Sequence, residues 1–272
     1  GKVSSRPTRD GAARDAAAHE LGGDVGASRD QGEGRDAPAL TEDQGPPAPD
    51  KGPVGVVPPF DKSSGGQGGP SAAGVHALNA GGVSYNVIVP ASGNVPRGLL
   101  LVISGTEGKG VMTQNLQGAG PAVGLGDLLF AIVDGPQTFG NGAAVAKVLD
   151  HVRSQYDVDN DRTYLLSESA GTKAGLSVGL DLRQSYFAAY WANDVNASAT
   201  PRQSAAALGF APWGNAGPGG QTALAQAIVG AMNSAGYRLP SDAPYSGAGA
   251  QTHGSPQQFL AALRFFVGKS RR

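Results

Sequence analysis

The sequence predicts an α/β fold, a mostly parallel sheet with helices on both faces, preceded by a disordered N-terminal tail. Three observations carry this. Continuously apolar stretches such as Leu99–Ile103 and Leu128–Val133 fit strands buried on both faces. Helical patterns alternate with them, which implies parallel pairing through right-handed crossovers. Residues 1–72 are poor in apolar side chains: the first aromatic is Phe60, and eight Lys/Arg and eleven Asp/Glu are interspersed up to Lys62. Such a segment cannot bury enough surface to offset its ordering entropy. Residues 1–72 are therefore expected to be a Gly/Pro/Ala/Asp-rich tether, and 73–272 one folded domain.

Composition removes several functions. The 272 residues carry a net charge of −1, against a nucleic-acid binder that works by bulk electrostatics. No cysteine is present, so disulfides, cysteine-ligated zinc and thiol chemistry are excluded. No apolar run approaches the roughly 20 residues that span a bilayer. A polar tether and a first residue other than Met lead us to expect an exported protein, periplasmic, cell-surface or extracellular, tethered to the envelope through its N-terminus.

In chain order, Val83–Val89 alternates apolar and polar residues and reads as a strand. Leu99–Ile103 and Leu128–Asp134 follow, with a Gly-rich loop, Ser104–Gly108, after the first. Residues 141–156 read as a helix with Val145, Val148, Leu149 and Val152 on one stripe. Arg162–Leu166 reads as a strand, 172–182 as a helix, Phe187–Ala192 and Ala205–Ala211 as strands, and 222–235 and 257–267 as helices.

The centre of this pattern is Tyr164-Leu165-Leu166-Ser167-Glu168-Ser169-Ala170-Gly171, a strand that runs into a sharp turn and then a helix. A serine at such an apex has its hydroxyl pushed above the sheet edge, the geometry of a nucleophile elbow. The flanking strand and helix nearly touch, so small residues are needed two before and two after, here Ser167 and Gly171. A serine needs a base to take its proton. Of four histidines, His19 lies in the tail, His76 before the first clear strand and His151 inside a helix. His253, in the loop before the last helix, is the candidate base for Ser169. The backbone N–H groups of Ala170 and Thr106 are the candidate oxyanion donors. Trp191, Trp213 and Phe139 line an apolar pocket or belong to the core.

Two lookalikes carry no function. Asp157, Asp159, Asp161 and Glu168 match calcium-loop spacing, but Arg162 stands where that loop needs glycine. Gly108-Lys109-Gly110 lacks the spacing of a phosphate loop. No metal or cofactor is expected.

From Val83 to Val267 the sequence resembles the α/β-hydrolase family, in its esterase D and polyhydroxybutyrate depolymerase-like branch. The resemblance rests on Tyr-Asn-Val-Ile-Val-Pro, on Leu-Leu-Val-Ile-Ser-Gly, on Tyr156–Tyr164 leading to Ser169-Ala170-Gly171, and on His253 before a Phe-rich helix. It implies a serine hydrolase that cleaves a small or polymeric carboxylic ester through an acyl-enzyme on Ser169, with His253 as base. Three positions depart from the family pattern. Ser104 replaces a histidine, Ser167 replaces a glycine, and Gly217 stands where the triad acid is expected. Asp194 is the proposed substitute acid, with Asn215 and Asp242 as the other candidates. If no acid is present, the expected alternative is a catalytically impaired hydrolase-fold binding or surface protein.

Overall fold

The computed structural model describes residues 57–272. Within them a seven-stranded sheet is formed by β1 (Gly74–Ala80), β2 (Val83–Val89), β3 (Arg97–Ile103), β4 (Leu129–Val133), β5 (Val158–Glu168), β6 (Ala189–Asn193) and β7 (Trp213–Ala216). The spatial order is β1-β2-β4-β3-β5-β6-β7. The β1–β2 and β2–β4 pairs are antiparallel; from β4 to β7 every pair is parallel. The helices are α1 (Gly108–Ala122), α2 (Gly142–Gln155), α3 (Thr172–Ser177), α4 (Ala205–Leu208), α5 (Thr222–Ser234) and α6 (Pro256–Phe265).

The buried run of β3 explains the three layers. Its side chains alternate across the sheet. Leu99, Leu101 and Ile103 join the core under α2, α3 and α5, whereas Leu100 and Val102 join the core under α1 and α6. On α2 the expected stripe of Val145, Val148, Leu149 and Val152 is fully buried. Asn141 caps this helix by accepting the Ala144 N–H at 3.0 Å.

Three expectations change. The expected strand at 205–211 is instead a short helix, α4, and the strand β7 begins at Trp213. Three alanines favour helix, Ser204 accepts the Ala207 N–H at 3.1 Å, and Gly209 ends the turn with φ +71°. Helix α1 has no clear sequence signal, because Gly108, Gly110, Gly118, Gly120 and Pro121 disguise it. Burial of Met112 and Leu116, and Gly120 seated on the Phe130 ring, outweigh propensity there.

The domain also begins earlier than residue 73. Ser64 N–H donates to Val158 O at 2.8 Å, Asp61 N–H to Asp161 Oδ2 at 2.7 Å, and Asn160 Nδ2 to Pro59 O at 3.0 Å. Residues from Val57 onward therefore belong to the folded unit; residues 1–56 of the expected tether lie outside the described residues. The aspartates of the calcium lookalike serve this junction. Asp157 accepts the Gly65 N–H, Asp159 the Asp161 N–H, and Asp161 pairs with the fully buried Arg271.

Candidate active site

In an open parallel sheet the site forms beyond the carboxyl ends of the strands. Here β3, β5 and β6 end side by side. Ile103 pairs with Ser167, Ser167 with Ala192 and Glu168 with Asn193, so Ser169 and Asp194 leave the sheet as neighbours.

Ser169 has φ +46°, in the left-handed region that residues with a side chain rarely adopt. Such strain costs about 1–3 kcal/mol and persists only where its surroundings impose it. The Asn196 Nδ2 donates to Ser169 O at 2.7 Å, and Thr172 Oγ1 donates to Asn193 O at 3.0 Å, which fix both sides of the turn. Gly171 shows the steric need two residues on. A Cβ there would lie 2.6 Å from Ile103 Cγ2 and 2.7 Å from Ser104 O. We expect Gly171→Ala to cost about 2–4 kcal/mol, read as a lower midpoint in urea unfolding. A change under about 0.5 kcal/mol would contradict this packing.

Ser167 in place of glycine has a structural compensation. It is fully buried, and its Oγ lies 2.9 Å from Tyr190 OH, so both hydroxyls are satisfied. Space for it comes from Gly175 on α3, where a Cβ would collide with the Ser167 side chain. Ser104 is likewise buried, and its Oγ accepts the Gly135 N–H at 3.1 Å, tying the end of β3 to that of β4.

His253 is brought to Ser169 by the start of α6. Ser255 caps that helix and Pro256 opens it. Ser169 Oγ lies 3.0 Å from His253 Nε2. On the other side of the ring, His253 Nδ1 lies 3.7 Å from Asp194 Oδ2, an ion-pair distance longer than a hydrogen bond. Asp194 is fully buried by side chain and has φ +53°. Its Oδ2 accepts the Gly254 N–H at 2.5 Å, so the carboxylate holds the backbone beside the histidine.

The other acid candidates lie elsewhere. Asn215 Oδ1 accepts the Tyr245 N–H at 3.0 Å, and Asp242 is exposed on a turn. A side chain at position 217 would displace Gln258 and Asn193, since a Cβ there would lie 2.5 Å from Gln258 Nε2 and 2.9 Å from Asn193 Oδ1.

The expected oxyanion loops also meet here. A Cβ on Gly105 would lie 3.4 Å from Ser169 Cβ, so the loop that carries Thr106 abuts the serine turn that carries Ala170. Thr106 is exposed and Ala170 half-buried. Of the aromatic candidates, Trp191 is core, packed on Tyr245 and Phe265. Trp213, at the start of β7, stacks under Lys269 at the opposite end of the sheet. Phe139 is 61% exposed on the loop after β4. Among the described residues no group of three His, Asp or Glu side chains is arranged to hold a metal ion. None of their helices is long and apolar enough to cross a membrane.

Sequence reasoning missed a pair of carboxyls beside the serine. Glu107, after the β3 loop, accepts the Gly105 N–H at 2.9 Å. Glu168, immediately before Ser169, is only 9% exposed, and its Oε2 has no hydrogen-bond partner. Burial pushes the Glu168 carboxyl up to about 8, and the nearby Glu107 and Asp194 charges push in the same direction. Both glutamates sit inside the two motif loops, which was the available signal.

This shift has a stability consequence. Between about pH 4.5 and 8 the unfolded chain releases a proton that folded Glu168 keeps, so stability falls as pH rises through that window. Glu168→Gln removes the dependence. Relative to the wild type, it is expected to gain about 4 kcal/mol between pH 4 and pH 8.5, measured by urea unfolding at both pH values. A pH-independent difference would contradict it.

Taken together, the sheet order, the strained strand-to-helix turn and the gathered Ser, His and Asp define an α/β-hydrolase fold. No family model matches the sequence, and no curated protein matches it. Among solved structures the chain is similar to a thermostable esterase at 15% identity and TM-score 0.53, over 72% of this chain and 63% of that one. It thus spans less than two thirds of that esterase's length. It is also similar to a poly(3-hydroxybutyrate) depolymerase from Bordetella parapertussis (16% identity, 71% and 94% covered, TM-score 0.48). A third similar structure is a fluorophosphonate-binding serine hydrolase of Staphylococcus aureus (12% identity, 74% and 100% covered, TM-score 0.47). At these identities the likeness is one of fold.

Proposed function

We propose that this chain is a serine hydrolase that cleaves carboxylic esters through an acyl-enzyme on Ser169. The observation that carries the proposal is the 3.0 Å approach of His253 Nε2 to Ser169 Oγ at a left-handed strand-to-helix turn. In this reading the turn is a nucleophile elbow. His253 takes the hydroxyl proton as Oγ attacks the ester carbonyl. The N–H groups of Ala170 and Thr106 receive the developing oxyanion. His253 then returns the proton to the leaving alcohol. Water, deprotonated by the same imidazole, attacks the acyl-serine and releases the acid. Asp194 acts on the imidazolium by charge and on its loop through Gly254. The impaired-protein alternative rested on glycine at 217; Asp194 Oδ2, 3.7 Å from His253 Nδ1, favours the hydrolase reading over it.

Turnover of p-nitrophenyl acetate, with Ser169→Ala as control, tests the reading. Hydrolysis above buffer that the variant lacks supports it; an intact protein with no hydrolysis overturns it for simple esters. Export and an N-terminal envelope tether are part of the same proposal and rest on the composition of residues 1–72. Fractionation of the source cells tests them, and a cytoplasmic protein would contradict them.

A further inference from the structure

The loop after β3 carries Thr106, one of the two proposed oxyanion donors, and little packing holds its apex. Glycine stands at 105, 108 and 110, so the backbone there has many conformations open to it. Thr106 and Glu107 are both exposed. The two ends of the loop are tied down. Ser104 Oγ accepts the Gly135 N–H at 3.1 Å, and Asp134 Oδ2 accepts the Lys109 N–H at 3.3 Å at the start of α1. Between these anchors two bonds close the loop, and both end on Gly105. Its carbonyl accepts the Gly108 N–H at 3.2 Å, and its N–H donates to Glu107 Oε1 at 2.9 Å.

We infer that Glu107 is a positioning residue: its carboxyl oxygen clamps Gly105 against the Ser169 turn and so sets where the Thr106 N–H stands relative to the serine. The inference deepens the proposed ester hydrolysis and rests on it. Gly105 lies between the two side chains, since a Cβ there would be 2.5 Å from Glu107 Oε2 and 3.4 Å from Ser169 Cβ. The clamp occupies the Gly105 N–H, whereas no acceptor among the described residues pairs with the Thr106 N–H. An oxyanion donor works only within about 2.7–3.1 Å of the oxygen it serves, and an ångström of drift costs up to about 10²-fold in rate.

Charge is not what makes an acid useful here. Glu107 pushes the buried Glu168 carboxyl up, and its charge opposes the negative oxygen that develops on the substrate. Nor does it serve as a helix cap. Glu107 stands at the N-cap of α1, yet its side chain makes no capping bond to that helix and turns back to Gly105 instead. What the position contributes is an acceptor, and a glutamine amide oxygen is one too.

The test compares Glu107→Ala with Glu107→Gln in the whole protein, by turnover of p-nitrophenyl acetate and by urea unfolding. Glu107→Ala is expected to lower kcat about 10- to 100-fold with KM within about twofold. Glu107→Gln is expected to restore kcat to within about threefold of the wild type. Both variants lose the same charge at the start of α1, so a purely structural role would shift both unfolding midpoints and leave kcat in place. Fluorophosphonate labelling of Ser169 is expected to slow in Glu107→Ala by a factor similar to that in kcat, because the phosphonyl oxygen uses the same donors. A kcat in Glu107→Ala within about threefold of the wild type overturns the inference, as does a Glu107→Gln variant as slow as Glu107→Ala. Turnover and labelling that survive Glu107→Ala remove the clamp and leave the hydrolase. A wild type that neither turns over nor labels removes the hydrolase reading and the clamp with it.

Discussion

Ser169→Ala lowers kcat for p-nitrophenyl acetate by about 10⁴–10⁶-fold, and His253→Ala costs nearly as much. The expectation follows from shared work. In the proposed mechanism Ser169 is nucleophilic only while His253 Nε2, 3.0 Å away, accepts its proton. Removing either member removes the same step, so the double variant is expected to be no slower than the slower single variant. Because His253 is 63% exposed by side chain, His253→Ala leaves little packing behind. Its effect is therefore expected in kcat, with the unfolding midpoint almost unchanged. Multiplying losses in the double variant would show that the two residues act separately.

Asp194→Asn is the second large effect, about 10²–10⁴-fold in kcat. The amide retains an oxygen for the Gly254 N–H but loses the charge that faces the imidazole. The 3.7 Å separation and the exposure of His253 favour the lower part of that range, since water shares in stabilising the imidazolium. Asn215→Ala and Asp242→Asn are the controls and are expected to change kcat by less than about threefold, because Asn215 Oδ1 is engaged by the Tyr245 N–H and Asp242 is exposed on a turn. A large loss at Asn215 or Asp242 with little at Asp194 would reassign the acid.

Much of this arrangement was legible because it depends on short-range rules. The short β-branched and leucine-rich runs of β3 and β4 fit buried strands, and Ser-Glu-Ser-Ala-Gly between a strand and a helix fits a tight turn. His253 emerged by elimination among four histidines. What the sequence hid depends on contacts between distant segments. Ser167 looked like a defect until Gly175 and Tyr190 supplied its space and its hydrogen bond. Gly217 looked like a lost acid, but the pairing of Glu168 with Asn193 sets Asp194 beside the serine. The Glu107–Glu168 pair belongs to two loops, 61 residues apart in sequence, that the β3–β5 pairing unites. The expected strand at 205–211 forms helix α4 because its alanines favour helix and Ser204 and Gly209 cap it at either end. The order of residues 57–72 depends on β5 and Arg271, which no local pattern announces.

The central claim is that Ser169 is an activated nucleophile. The most direct measurement is stoichiometric labelling with a fluorophosphonate, followed by peptide mapping. One label per chain on Ser169, lost in Ser169→Ala and slowed at least about 100-fold in His253→Ala, is the predicted result. A folded wild-type protein that stays unlabelled, or that carries its label on another residue, would contradict it.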